Sequence, residues 1–157
     1  MNNIYVLCGI PGVGKSTWSQ VVKKEAKTII ISRDEIRFSL VREDEDYFSK
    51  EDDVFNLFII AIKKAIISND NINIIIDATH LNPKSRAKLL NRVGRELLAK
   101  HNIIAVEFPN DLELALIQNE LRKGGRAYVP RGVIRRMSEQ FIPPTLEEGF
   151  NSIMKVR

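Results

Sequence analysis

Short apolar runs alternate with segments of helical periodicity along the chain. The runs are rich in β-branched residues and almost unbroken, as expected for parallel strands buried on both faces. They are Ile4–Cys8, Thr28–Ile31, Ile72–Ile76, Ile103–Phe108 and Ile153–Val156. The segments between them predict helices near 15–26, 32–42, 50–68, 83–100, 111–123 and 130–141. This alternation predicts an α/β fold in which a mostly parallel sheet of about five strands lies between two helical layers, with right-handed crossovers.

Local signals mark the starts of three of these helices. The pairs Ser32 with Glu35 and Ser49 with Asp52 have the spacing of a capping box. In Asn82-Pro83, a good N-cap residue precedes proline at the first helical position. We therefore expect helices to begin at all three places.

The composition is that of one globular domain spanning residues 1–157. The chain is 44% hydrophobic and 28% charged, and its longest apolar runs are too short to cross a bilayer. The first strand begins almost at the first residue, so we expect no signal peptide. The single cysteine, Cys8, rules out an internal disulfide and is expected to be buried. These features favour a cytoplasmic protein.

The charges are unevenly distributed about a formal net charge of +4. Residues 121–136 and 84–100 are basic, whereas residues 43–53 are acidic. The basic segments suggest a polyanionic partner, but a solvated helix face explains the second one equally simply. We expect residues 43–48 to form a mobile loop.

The segment Gly9-Ile-Pro-Gly-Val-Gly-Lys15-Ser16 follows the first apolar run and fits the phosphate-binding pattern G-x-x-x-x-G-K-[ST]. Its glycines let backbone N–H groups approach phosphate oxygens, and the helix that follows adds the positive end of its dipole. Lys15 can reach the β- and γ-phosphates of ATP, and the Ser16 hydroxyl can ligate Mg²⁺. The expected nucleotide contacts are Gly12, Val13, Gly14, Lys15, Ser16 and Thr17.

Asp77 follows the third apolar run, at the edge of the sheet where ligands bind in such folds. It is the candidate second Mg²⁺ ligand, although an ordinary strand-ending aspartate is the simpler alternative. The next residue is Ala78, so the Asp-Glu pair of ATP-hydrolysing machines is absent, as is a guanine-reading N-K-x-D motif. These absences argue against a motor ATPase and a GTPase switch.

Ser32-Arg33-Asp34-Glu35-Ile36-Arg37 follows the second apolar run. Asp34 and Arg37 are three residues apart and share a helix face. Asp34 could accept the proton of an attacking hydroxyl, and Arg37 could hold an anionic group or orient Asp34. The alternative is that Asp34 only complements the helix dipole and Arg37 is its partner.

Arg122-Lys123-Gly124-Gly125-Arg126 predicts a basic helical lid around residues 122–131 with a glycine hinge. Its arginines could neutralise charge on the transferring phosphate, so Arg122 and Arg126 are candidate nucleotide contacts and Arg126 a candidate catalytic residue. A solvated basic turn is the alternative. His80 either lines the substrate cleft or lies on the surface.

Three of these elements together resemble the kinase module of P-loop polynucleotide 5′-hydroxyl kinases. The resemblance rests on Gly9–Trp18, on S-x-D-x-x-R at 32–37 and on D-A-T-H-L-N-P-x-x-R at 77–86, with a similar tail at 141–150. It implies an adenylate-kinase-like fold and transfer of the ATP γ-phosphate to a 5′-OH end of DNA or RNA. It assigns Lys15 and Ser16 to phosphate and Mg²⁺ and Asp34 to general base. Arg37 would bind a substrate 3′-phosphate or Asp34, and a lid arginine would bind the transferring phosphate.

Two departures from that pattern bear on the substrate. His80 stands where the family commonly has Asn, and the chain has no room for an accompanying phosphatase domain. Related kinases with similar loops phosphorylate nucleosides, sugars or tRNA-linked amino acids. The alternatives are therefore a small-molecule kinase of the same fold, or a non-catalytic nucleotide-binding regulator.

Overall fold

The computed structural model describes all 157 residues and contains a five-stranded parallel sheet. The strands are β1 (Asn3–Cys8), β2 (Thr28–Ser32), β3 (Asn73–Asp77), β4 (Asn102–Glu107) and β5 (Ser152–Lys155). Their order in the sheet is β2-β3-β1-β4-β5, and every neighbouring pair is parallel. All five predicted strands are present, with ends within one residue of those expected.

Seven helices connect the strands. They are α1 (Lys15–Glu25), α2 (Arg33–Leu40), α3 (Glu51–Ser68), α4 (Pro83–Val93), α5 (Arg95–Leu98), α6 (Leu112–Glu120) and α7 (Arg131–Gln140). Helices α3 and α4 pack on one face of the sheet in a core of 20 buried residues. Helices α1, α6 and α7 pack on the other face around a second core of nine. The predicted three-layer α/β/α fold is confirmed.

Helix starts agree with the sequence at two of the three predicted places. At the start of α2, the Ser32 hydroxyl accepts a hydrogen bond from the Glu35 amide. At the start of α4, Asn82 and Ser85 form a reciprocal capping box, and Pro83 is the first helical residue after the cap. The Ser49–Asp52 box is wrong: α3 begins at Glu51 with Lys50 as its uncapped N-cap residue. Ser49 instead lies in a turn in which its amide donates to Asp46 O at 3.0 Å.

Two further predictions are corrected. The helix expected over 83–100 is broken at Gly94, whose φ of 111° lies in the left-handed region and separates α4 from α5. The lid is a series of tight turns between α6 and α7 rather than a helix. Cys8 is buried, as expected. No helix combines the length and the apolar character needed to cross a membrane.

Candidate active site

A cleft of about 710 Å³ opens at the carboxyl edge of the sheet. One side is formed by the loop between β1 and α1, and the opposite side by α2 and the turns that precede α3. Because every strand is parallel, the segments that follow β1, β2 and β3 all meet there. Lys15, Ser16, Asp34, Arg37, Asp77 and Arg122 line this cleft.

The loop after β1 has the backbone geometry of a phosphate cradle. Gly12 and Gly14 have φ values of 88° and 100°, which side chains rarely tolerate. A Cβ on Gly12 would lie 2.8 Å from the carbonyl oxygen of Ala115, so the loop rests directly on the backbone of α6. Gly14 caps α1 without any side-chain hydrogen bond, and the first amides of that helix face the cleft unpaired. This arrangement suits an anion such as a triphosphate.

Lys15 lies at the bottom of the cradle. Its Nζ donates to the Gly9 carbonyl at 2.8 Å and contacts the Ala78 carbonyl at 3.5 Å. Burial lowers the pKa of Lys15, although the charges of Asp77 and Asp34 oppose that shift. A bound phosphate would supply the counter-charge that this buried ammonium group lacks.

Ser16, in the first turn of α1, and Asp77, at the end of β3, are two oxygen donors that line the cleft. Burial raises the pKa of Asp77, while the charge of Lys15 counteracts the shift. No cluster of three or more His, Cys, Asp or Glu side chains is present that could hold a metal by itself. A hydroxyl and one carboxylate nevertheless fit Mg²⁺, which commonly takes one or two protein oxygens and completes its shell with phosphates and water.

Asp34 lies in the first turn of α2 at the mouth of the cleft, with its side chain 59% exposed. Both of its protein partners bind the same oxygen: Arg37 and the Tyr47 hydroxyl, the latter at 2.7 Å, donate to Oδ1. The other oxygen, Oδ2, accepts no hydrogen bond from the protein. The carboxylate is thus held in one orientation with one oxygen free to take a proton.

Arg37 is buried and fully engaged. Its Nε and NH2 groups donate to the two carboxylate oxygens of Glu51 at 2.5 and 3.0 Å, and its NH1 group donates to Asp34 and Tyr47. The guanidinium also lies 4.4 Å from the centre of the Tyr47 ring. Of the two roles considered for Arg37, this geometry favours orienting Asp34 over holding a substrate anion.

Sequence reasoning missed Glu51 and Tyr47. Glu51 binds Arg37 and also accepts from Arg33 at 3.1 Å. Tyr47 lies in residues 43–48, which were expected to form a mobile loop, and Glu51 lies in the acidic segment 43–53; neither residue carried a motif. The signal that could have identified Glu51 is its position as the first residue of a long apolar helix, directly after a segment rich in turns.

The predicted lid is anchored at two points. The Asn119 side chain forms a pair of hydrogen bonds with the backbone of Val129, at 2.6 and 2.9 Å. The Arg126 guanidinium donates to the carbonyls of Phe38 and Val41 at the end of α2, and lies 4.6 Å from the Phe38 ring centre. Arg122 lines the cleft, whereas Arg126 does not. Arg122 is therefore the lid cation that lines the cleft, and its charge helps to lower the pKa of Lys15 in the phosphate loop.

The family that this sequence matches agrees with the geometry of the site. The family model AAA_33, described as an AAA domain, matches residues 4–144. The chain belongs to this family. The L-seryl-tRNA(Sec) kinase of Methanococcus maripaludis is 27% identical to this AAA_33 domain over 148 residues, which are 90% of this chain. The chain spans about half of that relative, 53% of its length.

Solved structures share the fold of this AAA_33 domain at low identity. A fungal RNA kinase superimposes with a TM-score of 0.61 at 11% identity, covering 99% of this chain and 74% of the other. A gluconokinase from Sinorhizobium meliloti 1021 gives a TM-score of 0.61 at 15% identity, covering 98% and 81%. The fold is that of P-loop kinases, in agreement with the resemblance to polynucleotide kinases seen in the sequence.

One expectation about the surface of the AAA_33 domain is wrong. Arg86 was expected to belong to a basic, solvated face of α4, but it is completely buried. Its Nε and NH2 groups donate to the two carboxylate oxygens of Glu148 at 2.7 and 3.1 Å, and its NH1 group donates to the His80 carbonyl at 2.9 Å. Arg86 thereby joins the segment after β3 to the C-terminal segment that resembles the family's tail.

Two other cations of α4, Lys88 and Arg92, lie near Phe55, a residue that lines the cleft. Lys88 and Arg92 contact the ring of Phe55 at 4.6 and 5.2 Å from its centre, and Arg33 contacts it at 5.1 Å. Phe55 itself is buried. The three cations therefore form a cluster around one aromatic ring that lines the cleft.

Proposed function

We propose that this protein transfers the γ-phosphate of ATP to the 5′-hydroxyl end of DNA or RNA in a Mg²⁺-dependent reaction. The observation that carries the proposal is the placement of Asp34. Its unpaired Oδ2 lies at the mouth of the same cleft whose far side is the phosphate loop. A carboxylate with one bare oxygen opposite a phosphate cradle suits the activation of a hydroxyl acceptor.

Each residue of the site has a separate role in the proposed reaction. The 5′-oxygen attacks the γ-phosphorus and its proton passes to Asp34, while the bond to the β-phosphate oxygen breaks and ADP leaves. Lys15 and Arg122 neutralise charge on the phosphates, and Arg37 and Tyr47 hold Asp34 in position. Ser16 and Asp77 would hold Mg²⁺, which would supply further neutralisation of the phosphate charge.

The side of the cleft opposite the phosphate loop, formed by α2 and the turns before α3, is the acceptor side in this proposal. Two features at this side support a nucleic acid end as the acceptor. Phe48 lines the cleft with its side chain 56% exposed, which offers a face on which a base can stack. The cluster of Arg33, Lys88 and Arg92 around Phe55 can contact backbone phosphates beyond the terminal nucleotide. The structural likeness to an RNA kinase is consistent with this proposal.

A small acceptor is the second candidate, and one observation favours it. Arg37 is neutralised by Glu51, and Asp34, Asp46 and Glu51 all line the acceptor side. This side therefore lacks a free, buried cation of its own. An uncharged polyol or a cationic acceptor would suit it better than a phosphorylated one.

A competition experiment separates the two candidates. The protein is incubated with γ-labelled ATP, Mg²⁺, a 5′-OH DNA oligomer, a 5′-OH RNA oligomer, nucleosides and gluconate. The same oligomers with 5′-phosphate ends are the matched controls. We expect label on a 5′-OH oligomer alone, with activity falling as salt is raised. Label on a small molecule and on neither oligomer would overturn the proposal.

A further inference from the structure

His80 occupies a strained position between the two halves of the cleft. Its φ of 43° is in the left-handed region, which non-glycine residues seldom adopt. The neighbouring backbone is tied down on both sides, because Thr79 O accepts from the Gly9 amide at 2.9 Å and His80 O accepts from Arg86. A costly conformation that is held this firmly points to a requirement on the side chain.

The ring of His80 is fixed by its Nδ1 atom, which lies 2.6 Å from the carbonyl oxygen of Leu7. A carbonyl can only accept, so Nδ1 must carry the proton. The pairing of β1 with β3 ends at Val6 and Ile76, so the Leu7 carbonyl lies just beyond the ladder. The ring of His80 thus takes the place of the β3 partner that the Leu7 carbonyl lacks, directly before the phosphate loop.

The other ring nitrogen is consequently a bare acceptor. Burial lowers the pKa of His80 to about 3, and the neighbouring charges of Lys15, Arg33 and Arg86 act in the same direction. The ring is therefore neutral over the whole physiological range, and a neutral ring protonated on Nδ1 has no proton on Nε2.

Nε2 has no protein partner and is not sealed from solvent. The only side-chain nitrogen and oxygen atoms that are sealed from solvent and unpaired are Ser19 Oγ and Arg33 Nε. His80 Nε2 has no hydrogen bond and is not one of these, and His80 lines the cleft together with Lys15 and Asp34. The unprotonated nitrogen therefore keeps some accessible surface in a residue that is otherwise buried and lines the cleft.

We propose that Nε2 of His80 accepts a hydrogen bond from a hydroxyl or amino group of the acceptor molecule, and so selects acceptors that carry a second donor beside the phosphorylated hydroxyl. This inference rests on the proposed kinase function and adds a specificity-determining contact to it. Asn, which the sequence resemblance leads one to expect at this position, offers both a donor and an acceptor. The fixed imidazole offers only an acceptor to the cleft.

Two substitutions test the roles of the two ring nitrogens of His80 separately. His80→Asn places an amide where Nδ1 was, so it can keep the bond to Leu7 but lacks a group at Nε2. His80→Gln places its amide oxygen near Nε2 and loses the bond to Leu7. We expect His80→Asn to raise the KM for the acceptor roughly 3- to 10-fold with the KM for ATP unchanged. His80→Gln should lower the Tm while its acceptor KM stays close to that of the wild type.

Nitrogen NMR of ¹⁵N-histidine-labelled protein tests the same inference without turnover. The chain has two histidines, and the other one, His101, accepts from the Asn2 amide through Nδ1 at 3.0 Å. The two neutral rings should therefore show opposite tautomers, and His101→Gln assigns the signals. On addition of the acceptor that the wild type labels, the Nε2 signal of His80 should shift and those of His101 should not.

The results separate this inference from the proposed function. A wild-type enzyme that labels a small molecule and no oligomer overturns the polynucleotide proposal, and the His80 variants are then compared on that small molecule. An unchanged acceptor KM in His80→Asn, together with a lowered Tm in His80→Gln, would make His80 a purely structural residue. A proton found on Nε2 of His80 in the free protein would also overturn the inference.

Discussion

Arg37 and Glu51 form a two-point ion pair that joins α2 to the first residue of α3, with nitrogen–oxygen distances of 2.5 and 3.0 Å. Burial acts to raise the pKa of Glu51, but the hydrogen bonds and charges of Arg37 and Arg33 outweigh it and hold that pKa below its ordinary value. The pair therefore supports Asp34, the proposed base, through the arginine that both carboxylates share.

Glu51→Ala should lower the free energy of unfolding by about 2 kcal/mol, because it leaves a buried guanidinium without its main counter-ion. Glu51 is 27% exposed, so the loss stays below that of a sealed pair. Urea denaturation measures the change, and kcat should fall with it because Asp34 loses its support. Asp52→Ala, on an exposed acid one residue along α3, is the matched control. Equal stabilities for the two variants would contradict this account.

Asp34→Asn should reduce kcat about 10²- to 10⁴-fold while ATP binding is retained, since the amide cannot take the acceptor's proton. Fluorescent-nucleotide binding and a single-turnover transfer assay measure the two quantities. Glu35→Gln, on the exposed neighbour in the same helical turn, should keep both. Near-normal transfer by Asp34→Asn would remove Asp34 from the role of general base.

The two lid arginines should behave differently. Arg122→Ala should lower kcat by about 10²-fold, because Arg122 lines the cleft. Arg126→Ala should act less strongly on kcat and more on KM, because Arg126 binds carbonyls at the end of α2 instead. Steady-state kinetics of both variants measure this split. A larger kcat loss for Arg126→Ala would restore Arg126 as the catalytic lid residue that the sequence analysis named.

A 3′-phosphate on the terminal nucleotide should not improve the acceptor. The nitrogens of Arg37 already donate to Glu51, Asp34 and Tyr47, so no free cation remains there for a second phosphate. We expect kcat/KM values within about threefold for acceptors with and without this group, which corresponds to less than 1 kcal/mol. A strong preference for the 3′-phosphorylated acceptor would mean that Arg37 exchanges Glu51 for the substrate.

Because Glu148 is paired with Arg86, we expect the free energy of unfolding to fall in acid. Burial acts to raise the pKa of Glu148, but Arg86 and the Thr145 amide outweigh it and hold that pKa below the ordinary value of 4.5. The unfolded chain then takes up a proton at higher pH than the folded protein does. The stabilisation is complete above about pH 4.5 and is lost as the pH falls toward the folded-state pKa.

Glu148→Gln should accordingly be less stable at pH 7 by about 2 kcal/mol and should lose less further stability between pH 5 and pH 3. Denaturation curves at several pH values test this, with Glu147→Gln on the exposed neighbour as control. Parallel pH profiles for the wild type and Glu148→Gln would contradict the assignment.

Local patterns in the sequence were sufficient to predict the fold and the phosphate loop. β-branched runs identify parallel strands, and the glycines at 12 and 14 take the left-handed φ values that the phosphate loop requires. Parallel topology then places the segments after β1, β2 and β3 at one edge, which brings Lys15, Asp34 and Asp77 into one cleft.

The rest of the site depends on contacts between distant segments, which periodicity does not encode. Glu51 lies 14 residues from Arg37, and Glu148 lies 62 residues from Arg86. In the sequence each arginine is one cation among several in a basic or mixed segment. Only the fold shows that these two are buried and paired, and that Arg126 donates to carbonyls at the end of α2.

The close approach of Gly12 to α6 constrains which mutations can suppress one another. A side chain at position 12 would meet the backbone of Ala115, with its oxygen at 2.8 Å and its Cα at 3.1 Å. Shrinking the side chain at 115 therefore creates no room. Second-site suppressors of a Gly12 substitution should instead map to residues that let the whole of α6 move, foremost Asn119, whose bonds to Val129 hold the end of that helix.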